Sequence, residues 1–289
     1  MSEVSAQVRA RQQKTVAAFR ELHRTGCFVI PNPWDPGSAR YLQHLGFKAL
    51  ATTSSGFAFS RGLPDSDRAV PRDVALQHFA DMAAAVELPV NADFASAYAR
   101  EPEGVAENVR LCVETGVAGL SVEDATGEAE RPLYDLALAT ERVKAARSAI
   151  DHTGTGVLLI ARAECYLVRR EDALKEAIRR LRSYAEAGAD VLFAPGLKER
   201  EEIQAIVEAA GPKPVNVLMS SNTALRVGDL AEMGVRRVSV GSALARAAWG
   251  GFLRAAKLLA GEGSFAGFEG AVPGTELNDF FEREWKKRS

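Results

Sequence analysis

Short apolar runs alternate with longer stretches whose apolar residues recur at helical spacing, from residue 27 to residue 240. The runs are Cys27–Ile30, Ala49–Thr52, Pro89–Ala92, Gly119–Val122, Val157–Ala161, Val191–Ala194, Val215–Met219 and Arg237–Val240, eight in all. Each is too short for a helix and reads as a buried strand. Helical spacing covers Arg72–Ala85, Gly104–Thr115, Leu136–Ile150, Arg170–Ala187, Lys198–Ala210 and Thr223–Met233. Strands alternating with helices predict βαβ units and a parallel sheet. A repeated signature sharpens the prediction. LGFKAL (45–50), TGVAGL (115–120), AGADVL (187–192) and MGVRRV (233–238) each place a glycine and a short turn before an apolar strand. Glycine just past a helix can take the left-handed conformation that ends it. Eight units with such hand-overs, and no GxGxxG after the first strand, predict a (β/α)8 TIM-type barrel rather than a doubly wound open sheet.

The ends extend this plan. MSEVSAQVRARQQKTVAAF reads as a leading amphipathic helix without the apolar core of a signal peptide. Beyond the eighth run, Leu244–Leu259 reads as a helix, Gly261–Pro273 as a glycine-rich break and Glu276–Lys287 as a final amphipathic helix. Phe265, Phe268, Phe280, Phe281 and Trp285 concentrate in this tail. It must cover something apolar, either its own barrel or a neighbouring subunit. No linker divides the chain, which is read as a single barrel domain over residues 1–289 with 244–289 as its C-terminal helical segment.

Composition narrows the function classes. The chain is 47% hydrophobic and 26% charged, with a formal net charge of −2, so it lacks the basic excess of a nucleic-acid binder. No run approaches the roughly 18 apolar residues of a membrane span. Three cysteines without paired spacing argue against a disulfide framework and for a reducing cytoplasm.

The carboxyl ends of barrel strands converge on one rim, where such folds carry their chemistry. Strand one leads to Asn32 and Trp34, and strand two to Ser54, Ser55 and Gly56 and a loop ending at Asp65. Strand three gives Asp93, strand four Glu123 and Asp124, and strand five Arg162 and Glu164. Asn216 lies inside strand seven. Asp65, Asp93 and Glu123 form an oxygen-rich set suited to Mg²⁺, and a cation would relieve their mutual repulsion. A lone aspartate at a strand end is equally an ordinary cap or turn residue. The four histidines sit on helices or helix ends, which argues against zinc. Arg162, in an otherwise apolar strand, is either a bidentate clamp for a substrate carboxylate or half of a structural pair with Glu123 or Glu164. Ser54-Ser55-Gly56 can bring backbone N–H groups to an anion or form an ordinary turn. Cys165 is a candidate nucleophile, with an inert buried thiol as the commoner alternative.

SSG followed by GLPD, NAD at strand three, VED after strand four and ARAE at strand five together resemble the isocitrate lyase/phosphoenolpyruvate mutase superfamily, over about Asn32 to Ala247. The resemblance implies a (β/α)8 barrel whose last helix is exchanged between subunits of a homo-oligomer, a dimer or tetramer. It also implies a Mg²⁺ site (Mn²⁺ as the alternative) that holds a small carboxylate substrate. On that basis Asp65, Asp93 and Glu123 look like the metal-shell acids, and Ser54, Ser55 and Gly56 like the carboxylate cradle. Arg162 looks like the positive clamp, and Trp34 and Asn216 like neighbours of the substrate. Two departures stand out. The family's DxD reads Asn91-Ala92-Asp93, followed by Ala97-Tyr98-Ala99 where GYG is usual. The loop ATGEAERPLYD (125–135) lacks the Lys-Cys-Gly-His stretch of the lyases and the Lys-Gly-Glu type stretch of the mutases.

The resulting expectation is a Mg²⁺-dependent carbon–carbon lyase or decarboxylase acting on a 2-oxo or 2-hydroxy di- or tricarboxylate through an enolate. Glu128, Glu130, Tyr134 or water would replace the missing loop acid, beside Arg162 and Glu123 as catalytic groups. Decarboxylation tolerates the loss of that acid best. The alternatives are phosphorus–carbon chemistry, of mutase or phosphonopyruvate hydrolase type, and a 2-oxo acid binding protein without turnover.

Overall fold

The computed structural model describes residues 3–288; Met1, Ser2 and Ser289, at the two ends of the chain, lie outside it. The eight expected strands are β1 (Phe28–Ile30), β2 (Leu50–Ala51), β3 (Val90–Asp93), β4 (Gly119–Glu123), β5 (Leu158–Arg162), β6 (Val191–Phe193), β7 (Val215–Leu218) and β8 (Arg237–Ser239). The pairings between these strands are all parallel, in the order β1-β8-β7-β6-β5-β4-β3-β2. The remaining seam, between β1 and β2, is bridged just past the strands, where the Ala51 N–H donates to the Pro31 carbonyl at 3.1 Å. Asn32 completes the closure. Its amide nitrogen donates to Thr52 O at 2.9 Å, and its Oδ1 accepts from the N–H groups of Val240 and Gly241 at 2.9 and 2.8 Å. The sheet is thus a nearly closed (β/α)8 barrel.

The helices around it are α1 (Glu3–Leu22), α2 (Pro36–His44), α3 (Ser54–Ser60), α4 (Arg72–Ala85), α5 (Pro102–Glu114), α6 (Leu136–Thr153), α7 (Ala173–Glu186), α8 (Arg200–Ala210) and α9 (Val227–Glu232). The four repeated glycines, Gly46, Gly116, Gly188 and Gly234, have φ of +88°, +90°, +100° and +86°. That is the left-handed turn the signature called for. Helix α1 lies against the barrel: Gln12 donates to the carbonyls of Val113 and Val117, and Phe19 is fully buried among core residues. A Cβ at Gly119 would stand 2.7 Å from the Phe19 ring, so that glycine is needed for the ring to approach β4.

Short helix α3 falls where the sequence reading placed a loop, and α2 falls in a stretch to which it assigned no element. Pro36 opens α2 behind the Asp35–Ser38 capping box. Thr53 caps α3 by accepting from Gly56 N–H at 3.3 Å. The chain divides into two compact units, residues 1–242 and 243–289. The second holds α10 (Ala243–Glu262), a 3₁₀ turn at Ala266–Phe268 and α11 (Gly274–Lys286). Gly267 lets that turn press on α10, since a Cβ there would lie 2.5 Å from Ala255 Cα. No helix among the described residues is long and apolar enough to cross a membrane.

Candidate active site

Parallel pairing brings the strand-end residues together. Glu123 is in register with Arg162, and Asp93 with Ser121 on the next strand. Arg162 is the hub. Its Nη1 donates to Asp93 Oδ1 at 2.6 Å, its Nη2 lies 3.0 Å from Glu123 Oε2, and its Nε donates to Glu164 Oε1 at 2.9 Å. Three carboxylates share one guanidinium, whose rigid planar fork fixes their directions as the rotatable ammonium of a lysine would not. The ion-pair alternative for Arg162 is therefore realised, with both Glu123 and Glu164.

Burial lifts the Glu123 carboxyl well above the usual range; Arg162 opposes this, while Glu164 and Asp93 add to it. Glu164 is raised for the same reason. Arg162 stays firmly protonated because Glu123, Glu164 and Asp93 outweigh the burial that works to lower it. Asp93 is further held by the Ser54 N–H on Oδ2 at 3.0 Å, and its own N–H donates to Thr52 Oγ1 at 2.8 Å.

Asp93, Asp65, Ser54, Ser55 and Arg162 line one cavity of about 220 Å³. Asp65 is raised by burial and then by the charge of Asp93, with the Ser54 side chain stabilising its anion. Asp67, which the sequence reading passed over, lines a smaller adjoining pocket that Ser54, Asp65 and Asp93 also line. Burial raises it first, Asp93 adds to this, and the Ser96 hydroxyl donates to its Oδ2 at 2.5 Å. Ser96 belongs to a tight loop in which Ala95, Ala97 and Tyr98 all have positive φ, of 46°, 57° and 53°. Arg142 of α6 ties that loop to β4, donating to the carbonyls of Ser96, Ala99 and Glu123.

Other predicted site residues lie elsewhere. The Ser54 N–H is engaged by Asp93 and the Gly56 N–H by Thr53, so two of the three amides in the expected cradle already have acceptors. Trp34 is half-buried near the α2 cap and does not line the cavity. Asn216 is fully buried and binds Ser239 and Arg237 instead of facing the cavity. The structure does not bring Glu128, Glu130 or Tyr134 to Asp93 and Arg162. All three line a separate pocket, where Tyr134 stacks under Arg142 at 4.1 Å. That separation follows from the loop's own pairing: Ala125 bridges Leu133, and Thr126 donates across the turn, its N–H to the Pro132 carbonyl and its hydroxyl to the Arg131 carbonyl. Cys165 is buried and its thiol is pushed up to about 12, first by burial and then by Asp124, which leaves it protonated and inert. Asp124 is taken up by Glu164 N–H, Arg180 and Tyr184, all within 2.9 Å.

The donors fit a hard, hydrated cation. They are carboxylate and hydroxyl oxygens, and Asp65 and Asp67 carry carboxyls raised by burial and by each other's neighbour Asp93, a strain a cation would relieve. Among the described residues no three acidic, histidine or cysteine side chains already surround one point, so most ligands of such an ion would be water. No histidine lines the cavity.

Acids and a guanidinium gathered at the carboxyl-end mouth of a (β/α)8 barrel define the class, an enzyme whose site sits on the strand-end loops. The comparisons agree. The phosphoenolpyruvate phosphomutase family matches residues 19–260. Oxaloacetate decarboxylase of Pseudomonas putida (strain GB-1) is 33% identical over 248 residues, covering 81% of each chain. The 2-methylisocitrate lyase of Halalkalibacterium halodurans is 28% identical over 262 residues, covering 88% of this chain and 85% of that one. A solved structure of a candidate lyase/mutase from Burkholderia cenocepacia J2315 is 48% identical with a TM-score of 0.90, covering 94% of this chain and 98% of that one. The chain belongs to the phosphoenolpyruvate mutase family and is a lyase of the isocitrate lyase/phosphoenolpyruvate mutase superfamily.

Proposed function

We propose that this chain is a Mg²⁺-dependent lyase that cleaves a carbon–carbon bond of a small 2-oxo or 2-hydroxy di- or tricarboxylate, with decarboxylation of an oxaloacetate-like acid as the reaction it fits best. The observation that carries this reading is the grouping of Asp93, Glu123 and Arg162 at the ends of adjacent strands, with Asp93 and Arg162 facing a cavity of about 220 Å³.

Asp93 and Asp65 would hold the metal, mostly through water, with Glu123 behind them. When bound, the ion supplies an electrophile that stabilises negative charge developing on the substrate's 2-oxygen. Arg162 positions the substrate's first carboxylate and keeps the surrounding carboxylates compensated. In decarboxylation the bond between C3 and the departing carboxylate breaks, carbon dioxide leaves, and the electron pair moves to the 2-oxygen to give an enolate. A proton then returns to C3. Water can supply it, which accords with a loop at 125–135 whose acids stand away from Arg162. A retro-aldol cleavage needs a base on the alcohol and an acid at the new carbanion, and the cavity offers fewer groups for it.

A 2-oxo acid binding protein without turnover is the second reading. It is favoured by the engagement of both Asp93 and Glu123 with Arg162. The test is to incubate the protein with Mg²⁺ and oxaloacetate, 2-methylisocitrate, dimethylmalate, isocitrate or phosphonopyruvate, following products by NMR. Turnover of a carboxylate, lost in Asp93→Ala, supports the lyase. Mg²⁺-dependent binding without product supports the second reading, and turnover of phosphonopyruvate alone would move the assignment to phosphorus–carbon chemistry.

A homo-oligomer is part of the same proposal. Phe252, Phe265, Phe268 and Trp285 of the 243–289 unit are all more than half exposed, which an apolar contact with a second copy would cover.

A further inference from the structure

Arg237 opens β8 and is 2% exposed. Its Nε donates to Asn216 Oδ1 at 2.9 Å, and its Nη1 reaches Asn91 Oδ1 only at 3.4 Å. The Asn216 amide is oriented by its own donation to Ser239 Oγ at 3.0 Å, which leaves its oxygen for the guanidinium. Both acceptors are neutral. Among the described residues no carboxylate is paired with Arg237, and its Nη2 has no hydrogen-bond partner, whereas Arg162 holds three acids. Burial, then the charge of Arg162, lowers Arg237 to about 9 against the opposing pull of Asp93, so it remains a cation at neutral pH.

A buried guanidinium whose direct hydrogen-bond partners are all neutral is costly, and removing such a group from water is best offset when it is paired. Its best partner is a carboxylate that accepts two parallel N–H bonds. Arg237 and Ser239 line the same cavity as Asp93 and Arg162, so an anion reaching Arg237 would enter by the active-site mouth. The two arginines are not equivalent there. Arg162 already holds three carboxylates, one of them Asp93; Arg237 feels Asp93 at a distance but has no carboxylate bonded to it.

We propose that Arg237, with Ser239 beside it, is an anion subsite at the barrel floor that takes a second carboxylate of the substrate and so selects dicarboxylates over monocarboxylates with the same 2-oxo or 2-hydroxy head. This rests on the reading of the cavity as a 2-oxo or 2-hydroxy acid site and adds to it the feature that sets substrate class. Asn91 and Asn216 act as positioning residues that hold the guanidinium without neutralising it.

Malate and lactate differ by one carboxylate and are stable, so calorimetric titration of the full chain with each, in the presence of Mg²⁺, isolates the subsite. Wild type is expected to bind malate about tenfold or more tightly than lactate. Arg237→Met is expected to lose most of that preference while lactate affinity stays within about twofold. Asn91→Asp keeps the arginine but puts a carboxylate against it, and is expected to erode the preference in the same way; it decides the matter if thermal melts show that Arg237→Met does not fold. Lactate binding with no malate preference in wild type, or a preference kept by a folded variant of either kind, would overturn the subsite and leave the reading of the cavity standing. Binding of neither ligand would overturn that reading, and the subsite with it.

Discussion

Arg162 is the residue on which the site turns, because three acids converge on one guanidinium and its fork geometry fixes all of them at once. Arg162→Lys keeps the charge but not the fork. We expect kcat/KM to fall on the order of 100-fold in steady-state kinetics, with a smaller change in melting temperature than Arg162→Ala, which strands buried carboxylates at a cost of about 3–5 kcal/mol. Protonation offers an independent check. Glu123 and Glu164 are raised above the ordinary glutamate value of 4.5 chiefly by burial. The folded chain thus keeps protons that the unfolded chain has already lost, so their contribution makes stability fall as pH rises from 4.5 through the raised values. In Glu164→Gln, metal-free urea midpoints should decline less steeply over that window than in wild type. An unchanged slope would assign the protons elsewhere. Asp93, Glu123 and Arg162 were legible in the sequence because a charged residue at the end of an apolar run is conspicuous. Arg237 satisfies the same rule but begins its run, behind Arg236, where a basic pair looks like a solvated turn. Asp67 lies in an Asp-Ser-Asp stretch typical of exposed loops, and the Ser96 hydroxyl that engages it comes from 29 residues further along the chain.

At the scale of elements, the eight strands were readable because each is an apolar run bounded by polar or glycine residues, and the four glycine hand-overs took the conformations their pattern required. Helices α2 and α3 were not. Both are short and begin with Pro-Gly-Ser and Ser-Ser-Gly, sequences that favour turns locally; caps at Asp35 and Thr53 make them helical. The 125–135 loop shows the opposite limit, since its acids were identifiable but their distance from Arg162 depends on how the turn closes on itself. Packing between α1 and β4 is testable. Gly119→Ala would place a Cβ 2.7 Å from the Phe19 ring and 2.9 Å from Asn91 Oδ1. Overpacking of this kind should cost about 1–3 kcal/mol in urea denaturation. The active-site loop offers the reverse case: Ala97 holds a left-handed φ of 57°, so Ala97→Gly should stabilise the chain by about 1 kcal/mol in the same assay.

For the whole molecule, the two arginines that line the cavity, Arg162 and Arg237, suit a small anion. The exposed aromatics of the last unit lead us to expect a homo-oligomer. Light scattering coupled to size exclusion should show a species larger than 31.1 kDa, shifting toward the monomer in a Phe252→Asp/Trp285→Asp variant. The measurement closest to the central claim is the rate of carbon dioxide release from oxaloacetate with Mg²⁺, corrected for the metal's own catalysis, for wild type, Asp93→Ala and Arg162→Ala. The account predicts acceleration by wild type and only background rates for both folded variants. Wild-type rates in either variant would contradict it, because the chemistry would then lie away from the β3–β5 rim.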